Sequence, residues 1–505
     1  MKTDRILNSK LYKKVISADQ AANIIENNMT VATSGFTLSG YPTEVPLAIA
    51  RKAEKEKNFK INLYTGASVG EELDKALADN NAINKRLPYQ TNNKTRDMIN
   101  DQRINYIDLH LSHFPQELRY GFYGKIDVAI IEAASITKEG NIVPTTSVGA
   151  SPTFCDLADS IIVEINDNKP IELSGMHDIY TPLDPPNREP IPLTSPEDRI
   201  GTPYIKVDPD KIKGIVLTNR RKNISKILST DETSDQIANH LIEFLQGEVL
   251  KGRLGKNLLP LQSGVGKVSN AVLKGLSNSM FKDLYFYSEV IQDSVLDLLD
   301  EGTIKFASAT AFSLSEHGFK KMVKNIDTLK DKIVLRPQEI SNHPEIIRRL
   351  GSIAMNTAIE IDIFGNVNSS HINGSDLMNG IGGSGDFARN SYMSIFTTPS
   401  VAKGGSISAI VPMVTHVDHT EHDVQIVVTE QGLADLRGLA PIERAEAIIE
   451  NCAHPNFKNL LWAYLEKAKK KSGHTPHLLD KAFSYNLELH PYSKENNVTT
   501  LESLT

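Results

Sequence analysis

The chain has 505 residues, 40% of them apolar and 23% charged, which is enough to bury two or three cores and too evenly mixed for collagen, low complexity or wholesale disorder. Its 55 basic and 62 acidic residues leave a formal charge of −7, which argues against charge-driven binding to nucleic acid or an anionic membrane while leaving room for a local basic pocket. Cys155 and Cys452 lie too far apart for a disulfide framework or a zinc knuckle, so both are expected to be small buried hydrophobes in a reducing cytoplasm.

The first residues mix acid and base with no apolar stretch behind them, unlike a signal peptide. A helix is expected over 16–29, capped by Ser17 or Asp19, with Ala21, Ala22, Ile24 and Ile25 on its apolar face. A strand over 29–35 then runs into the glycine loop Gly35–Pro42, and a second helix starts near Thr43. The pattern returns with strands at 61–66, 107–109 and 126–132, and with a helix at 101–106. Continuous apolar strands between helices predict an α/β fold with mostly parallel sheets covered on both faces.

Residues 181–210 carry Pro182, Pro185, Pro186, Pro190, Pro192, Pro203 and Pro209, so regular structure is excluded there and an excursion over the surface or a domain interface is expected. The α/β pattern then resumes: a strand at 211–217, a polar linker at 219–234, a helix at 235–245 and a strand at 259–266 ending in a second glycine loop. Gly140-Asn141 after Ile126 is echoed by Gly365-Asn366 after Ile361. Two related α/β halves, 1–218 and 235–505, would account for both length and echo. The longest apolar run, Ile407 to Val414, is broken by Pro412 and is far shorter than the roughly 20 residues of a membrane helix. The polar last dozen residues are expected to be disordered.

Glu289 closes the β-prone run Asp283–Ser288 and precedes a helical pattern, which puts a carboxylate at the carboxyl end of a strand, where α/β sheets present ligands. Such a group can be an acyl-accepting nucleophile, and an ordinary strand-end acid has the same local signature. The segments Gln262–Gly266 and Gly380–Phe387 could each turn backbone N–H groups toward one point and form an oxyanion hole, or be plain turns. Neither has the spacing of a dinucleotide or triphosphate loop. His416, Asp418, His419, Glu421 and His422 invite a metal reading, but no open three-ligand pattern is present and no metal is expected. Glu430 ends another strand run, with Asp435 and Arg437 after it as a second acidic site or a local ion pair.

Taken in order, Ser34-Gly-Phe, Gln262-Ser-Gly-Val-Gly266, Tyr287-Ser-Glu289-Val, Gly365-Asn-Val-Asn-Ser, Gly382-Gly-Ser-Gly-Asp386-Phe and Val428-Thr-Glu430-Gln-Gly resemble the acetyl-CoA hydrolase/transferase family, and within it the members that exchange CoA between succinate and acetate. The resemblance implies two CoA-transferase α/β domains, usually dimeric, with CoA as a substrate and no tightly bound cofactor. It implies ping-pong transfer of CoA from succinyl-CoA to acetate through a glutamyl-CoA thioester on Glu289. Hydrolysis of acetyl-CoA, or another short-chain pair such as propionate/succinate or butyrate/acetate, is compatible with the same motifs. By resemblance the oxyanion-hole residues fall on Val265 and Gly383, with Gly264 and Gly266 beside the former. CoA contacts fall on Gly264, Gly266, Asn342, Gly383 and Lys403, an auxiliary glutamate on Glu430, and a carboxylate-binding arginine on Arg220 or Arg221.

Overall fold

Residues 30–218 build a sheet whose strands are nearly all apolar, because helices cover both of its faces. A computed structural model describes residues 3–221 and 229–483. The strands are β1 (Thr30–Thr33), β2 (Ile61–Thr65), β3 (Ile83–Leu87), β4 (Asn105–Tyr106), β5 (Val128–Ile136), β6 (Ile142–Pro144), β7 (Ser160–Asn166) and β8 (Ile212–Thr218). They run in the order β4-β3-β2-β1-β5-β7-β8, all parallel, with β6 returning antiparallel on β5. Val31, Ile61, Leu63, Val128 and Ile130 pack against Val45, Ile49, Leu73 and Leu77 from the covering helices.

A second sheet begins with β9 (Leu261–Ser263), β10 (Leu284–Tyr287), the short β11 (Val290–Ile291), β12 (Ile304–Ala309), the short β13 (Ala311–Phe312), β14 (Ile333–Leu335) and β15 (Ile353–Thr357). Its order is β14-β12-β10-β9-β15, followed by the strand Met393–Thr397, while β11 pairs with β13 as a separate ribbon. In each sheet the first strand of the copy lies in the middle, the next three extend to one side, and the chain then switches to the other. The expected relation between two mostly parallel α/β halves is therefore present as a shared strand order.

By compactness the chain divides differently: one unit is Met1–Thr357 with Leu377–Phe396, the other Ala358–Asp376 with Thr397–Thr505. The first sheet and the strands of the second named so far fall within the first unit, so the division at 218 and 235 follows the sheets rather than compactness, and we keep it as a proposal. In the second unit the strand Glu360–Asp362 pairs antiparallel with Val367–Asn368 across Gly365, whose φ of 96° needs glycine. Ile426–Thr429 and Gly432–Asp435 form an antiparallel hairpin, followed by the helices Pro441–Cys452 and Pro455–Lys469. Asp435 and Arg437 form the local ion pair, at 2.7 Å.

Several boundaries differ from expectation. The first helix is only Ala18–Ala22, closed by a capping box in which Gln20 N donates to Ser17 Oγ at 3.1 Å and Ser17 N to Gln20 Oε1 at 2.9 Å; Asn28, at φ 67°, then turns the chain into β1. The helix expected at 101–106 is Asn93–Asn100, capped by Asn92, and Gln102 at φ 59° ends it before β4. The helix after the linker begins at Glu232, because Asp231 and Ser234 cap each other, and runs to Leu250. Residues 222–228 of that linker and the polar C-terminal residues lie outside the described residues. Both cysteines are buried.

The proline-bearing excursion is irregular, as expected, and it ties the two sheets together. Asp178 N donates to Leu335 O at 2.9 Å, the buried Arg336 pairs with Asp178, and Ile191 and Leu193 pack with Tyr287, Ile340 and Phe387. Asp418 closes a turn, accepting from Ser369 N at 2.6 Å and Ser370 Oγ at 2.8 Å. Among the described residues no cluster of three or more His, Cys, Asp or Glu is arranged to hold a metal, and no helix is long and apolar enough to cross a membrane.

Candidate active site

Strand β10 ends at Tyr287, whose hydroxyl donates to Ile340 O at 2.6 Å. Ser288 then links β10 to β9, its Oγ donating to Ser263 O at 3.1 Å. The carbonyl of Glu289 accepts from Thr310 N at 2.9 Å and Ala311 N at 3.1 Å. Its backbone held on both sides, Glu289 stands past the carboxyl end of β10, and its neighbour Val290 packs with Phe36, Ala67, Leu111 and Ala311 in an apolar wall.

That carboxyl accepts a hydrogen bond from Asn342 Nδ2 at 3.0 Å. Burial pushes its pKa up to about 7, against a smaller lowering by the Asn342 amide. Gly383 lies so close that a Cβ there would be 2.1 Å from Glu289 Oε1 and 2.2 Å from Asn342 Nδ2. Only glycine lets the backbone approach a carboxylate in this way.

The 380–386 segment is held in place by the first sheet's half of the same unit. Asp108 accepts from Ile381 N with both oxygens, at 3.0 and 2.9 Å. Ser112 donates to Asp386 from its backbone N at 3.0 Å and from its Oγ at 2.6 Å. The Tyr89 ring packs beside Gly380 and Gly382; burial first, then the charges of Glu289 and Asp108, keeps its phenol protonated well above the usual range.

The other glycine segment flanks Glu289 through its neighbours. Gln292 Nε2 donates to Gly264 O at 2.8 Å, Ser269 Oγ donates to the same oxygen at 2.6 Å, and Gln262 Oε1 accepts from Met355 N at 3.0 Å. Gly266, at φ 142°, opens the helix Lys267–Ser277. Val265 is half-exposed and lines, with Gly266, Asn270, Lys274 and Gln292, a cavity of about 620 Å³.

The structure thus brings Glu289, Asn342 and Gly383 into direct contact, and ties the Gly264–Gly266 turn to Gln292 and Ser269. Arg220 is paired with Glu44 at 2.5 Å, which raises its pKa further. Arg220 and Arg221 both line a cavity of about 230 Å³, with Lys169, Lys320, Ser39 and Phe312. Glu430 and Lys403 belong to the second unit. Burial alone would raise the Glu430 carboxyl, but Ser400 N at 2.8 Å, the Ser400 hydroxyl and Gln431 Nε2 at 2.9 Å hold it below the usual range. Lys403 is exposed on a tight turn, at φ 46°.

Sequence reasoning missed Tyr89, Asp108 and Ser112, which carry no glycine or strand-end signal and reach the site only through the packing of the two sheets. Asp386 stood inside a motif that was noted, without a role of its own.

Two family models match the chain: the acetyl-CoA hydrolase/transferase N-terminal domain over residues 1–217 and the C-terminal domain over residues 318–465. A succinyl-CoA:acetate CoA-transferase of Clostridium kluyveri is 55% identical over 95% of this chain and 90% of its own length. An acetyl-CoA hydrolase of Schizosaccharomyces pombe is 47% identical, covering 96% and 97%, and a propanoyl-CoA:succinate CoA transferase of Escherichia coli is 46% identical, covering 94% and 97%. Among solved structures, RipA from Yersinia pestis matches with a TM-score of 0.71 over 92% of this chain and 98% of its own, at 21% identity. At that identity the likeness is one of fold.

Proposed function

The chain belongs to the acetyl-CoA hydrolase/transferase family and is an enzyme, and on that premise we propose that it transfers CoA reversibly from succinyl-CoA to acetate with Glu289 as nucleophile. The observation that carries this reading is the triple contact of Glu289, Asn342 and the Gly383 backbone in a site that lifts the carboxyl to about 7. A carboxylate raised by desolvation is a better nucleophile once ionised than one in water, and it can ionise near neutral pH.

The steps follow from acyl chemistry. The Glu289 carboxylate attacks the thioester carbonyl and expels CoA thiolate, leaving a mixed anhydride between Glu289 and succinate. The thiolate then attacks the glutamyl carbonyl, expelling succinate and leaving glutamyl-CoA thioester. Acetate reverses both steps and departs as acetyl-CoA. The N–H groups of Gly383 and Val265 would hold the oxyanions of these additions, and the apolar wall would keep water from the anhydride. The Asn342 amide would orient the nucleophile.

The cavity beside Val265 and Gly266 suits the arm of CoA. Lys403 is proposed, on the resemblance alone, for a CoA phosphate and Glu430 as an auxiliary carboxylate. For the carboxylate-binding arginine, Arg221 is the stronger choice, since Arg220 is already occupied by Glu44. A cytoplasmic homodimer belongs to the same reading.

Mixing the protein with succinyl-CoA and measuring intact mass tests it. The expected result is an adduct of CoA mass on the Glu289 peptide, discharged by acetate into acetyl-CoA. Free CoA accumulating with no adduct would favour hydrolysis instead, the activity named for the Schizosaccharomyces pombe relative.

A further inference from the structure

Asn342 reaches Glu289 from the end of a short helical turn, Gln338–Ser341. The turn makes two helical hydrogen bonds, Ser341 N to Pro337 O at 3.0 Å and Asn342 N to Gln338 O at 2.9 Å, too few to set its own direction. That direction comes from what the turn is tied to. The Tyr287 hydroxyl donates to Ile340 O at 2.6 Å, a tie to the strand that presents the nucleophile. Two further ties run to residues 111–119: Gln338 Nε2 donates to Leu111 O at 3.0 Å, and Arg119 grips Glu339 with Nη1 on Oε2 and Nη2 on Oε1, each at 2.7 Å.

A planar guanidinium forked onto a carboxylate fixes direction as well as distance. The Arg119 and Glu339 side chains are 8% and 3% exposed, so water does little to screen the pair. Asp184 closes the free edge of the guanidinium, accepting from Nε at 3.0 Å and Nη2 at 2.9 Å. The same segment also holds the facing side of the site. Ser112, at the start of the helix that ends in Arg119, donates to Asp386 from N and Oγ, just past Gly383. Residues 111–119 therefore grip both the turn ending in Asn342 and the segment carrying Gly383. These two meet so closely that a Cβ on Gly383 would lie 2.2 Å from Asn342 Nδ2.

We propose that Arg119, through its forked bond to Glu339, is a positioning residue that sets the Asn342 amide against Glu289 and Gly383. This rests on the reading of Glu289 as the nucleophile. The fork, not the charge, holds the turn, so lysine, which brings the charge without the fork, does not replace Arg119.

The test is the rate of CoA-adduct formation from succinyl-CoA, with kcat, KM and the pH dependence of kcat/KM, in the full chain and in Arg119→Lys, Asn342→Ala and the double variant. Arg119→Lys is expected to form the adduct roughly 10- to 100-fold more slowly, at a KM changed less than about threefold. Its pH profile should move upward, as that of Asn342→Ala should, because a carboxylate that loses a donor ionises at higher pH. In the Asn342→Ala background the lysine is expected to cost less than about threefold more and to move the profile no further, because its effect travels through that amide. Losses that multiply in the double variant would mean that Arg119 supports the fold at large, and would overturn the proposal. An adduct formed at the wild-type rate by Arg119→Lys would overturn it too, since the charge would then suffice. No adduct in the wild type would remove the reading beneath the proposal, and the proposal with it. Should Arg119→Lys fail to fold, Glu339→Gln, which keeps the side chain's shape and loses one acceptor of the fork, is expected to show a smaller loss with the same non-additivity, and a wild-type rate there would be equally fatal.

Discussion

A carboxyl group lifted to about 7 in the folded chain binds its proton more tightly than it does unfolded, so folding stability falls as pH rises from about 4.5 through about 7. Glu289→Gln is therefore expected to be inactive and, at pH 8, more stable than the wild type by about 1–3 kcal/mol, with the gain shrinking toward pH 5. Thermal unfolding at the two pH values measures it; an equal gain at both would assign the effect to something other than ionisation. The same ionisation is needed for attack, so kcat/KM should climb through an apparent pKa near 7, broadened by the coupled Asp386. Gly383→Ala would put a Cβ 2.1 Å from Glu289 Oε1, and since misplacement by an ångström costs about a hundredfold, kcat should fall by about that factor while the melting temperature hardly moves. Glu289 and Gly383 were legible because a strand-end acid and a glycine segment leave local marks that the family resemblance then joined, whereas Asn342 came from the resemblance alone. Asp108 and Ser112 leave none, since their partners Ile381 and Asp386 are more than 270 residues away in sequence.

At the scale of elements, the excursion after β7 acts as a strap whose irregular backbone is stabilised by buried charge. Arg336 and Asp178 are both essentially inaccessible, and Arg336 also donates to Ser308 Oγ at 2.9 Å and Pro196 O at 3.1 Å. Arg336→Met should lower stability by about 3–5 kcal/mol, because it leaves the Asp178 carboxylate buried without its cation; urea unfolding would show this as a shifted midpoint. An unchanged midpoint would mean that the strap contributes nothing to the fold. The strap's irregularity was readable from its prolines, whereas its anchoring was not, because Asp178 and Arg336 carry no sequence mark of being paired. The helix Asn93–Asn100 was missed for a related reason. Its only buried residues are Thr95 and Met98, too few to show a period, and the Asn92 cap that starts it is one polar residue among many.

At the scale of the molecule, the strand order of the two sheets explains why so much of the architecture could be read: each copy repeats the same strand, glycine turn and helix. The site itself needs both copies, since the 380–386 segment beside Glu289 is held by Asp108 and Ser112. Residues 235–505 produced alone are expected to form no CoA adduct despite containing Glu289, Asn342 and Gly383, and adding residues 1–218 should restore it. Adduct formation by the C-terminal piece alone would show that the anchoring is dispensable. The matching order also aligns particular residues. Tyr64-Thr65-Gly66 leaves β2 as Tyr287-Ser288-Glu289 leaves β10, and the helix Ser151–Leu157 starts behind Gly149-Ala150 as Ser384–Asn390 starts behind Gly382-Gly383. If the halves descend from one duplicated ancestor, one twin has kept the reactive group and the other has fallen silent. The turn that leaves β2 has no room for such a group: a Cβ at Gly66 would lie 2.6 Å from Gly35 O and 3.0 Å from Gln338 Oε1, so a side chain from the half that carries Glu289 closes off the end of β2.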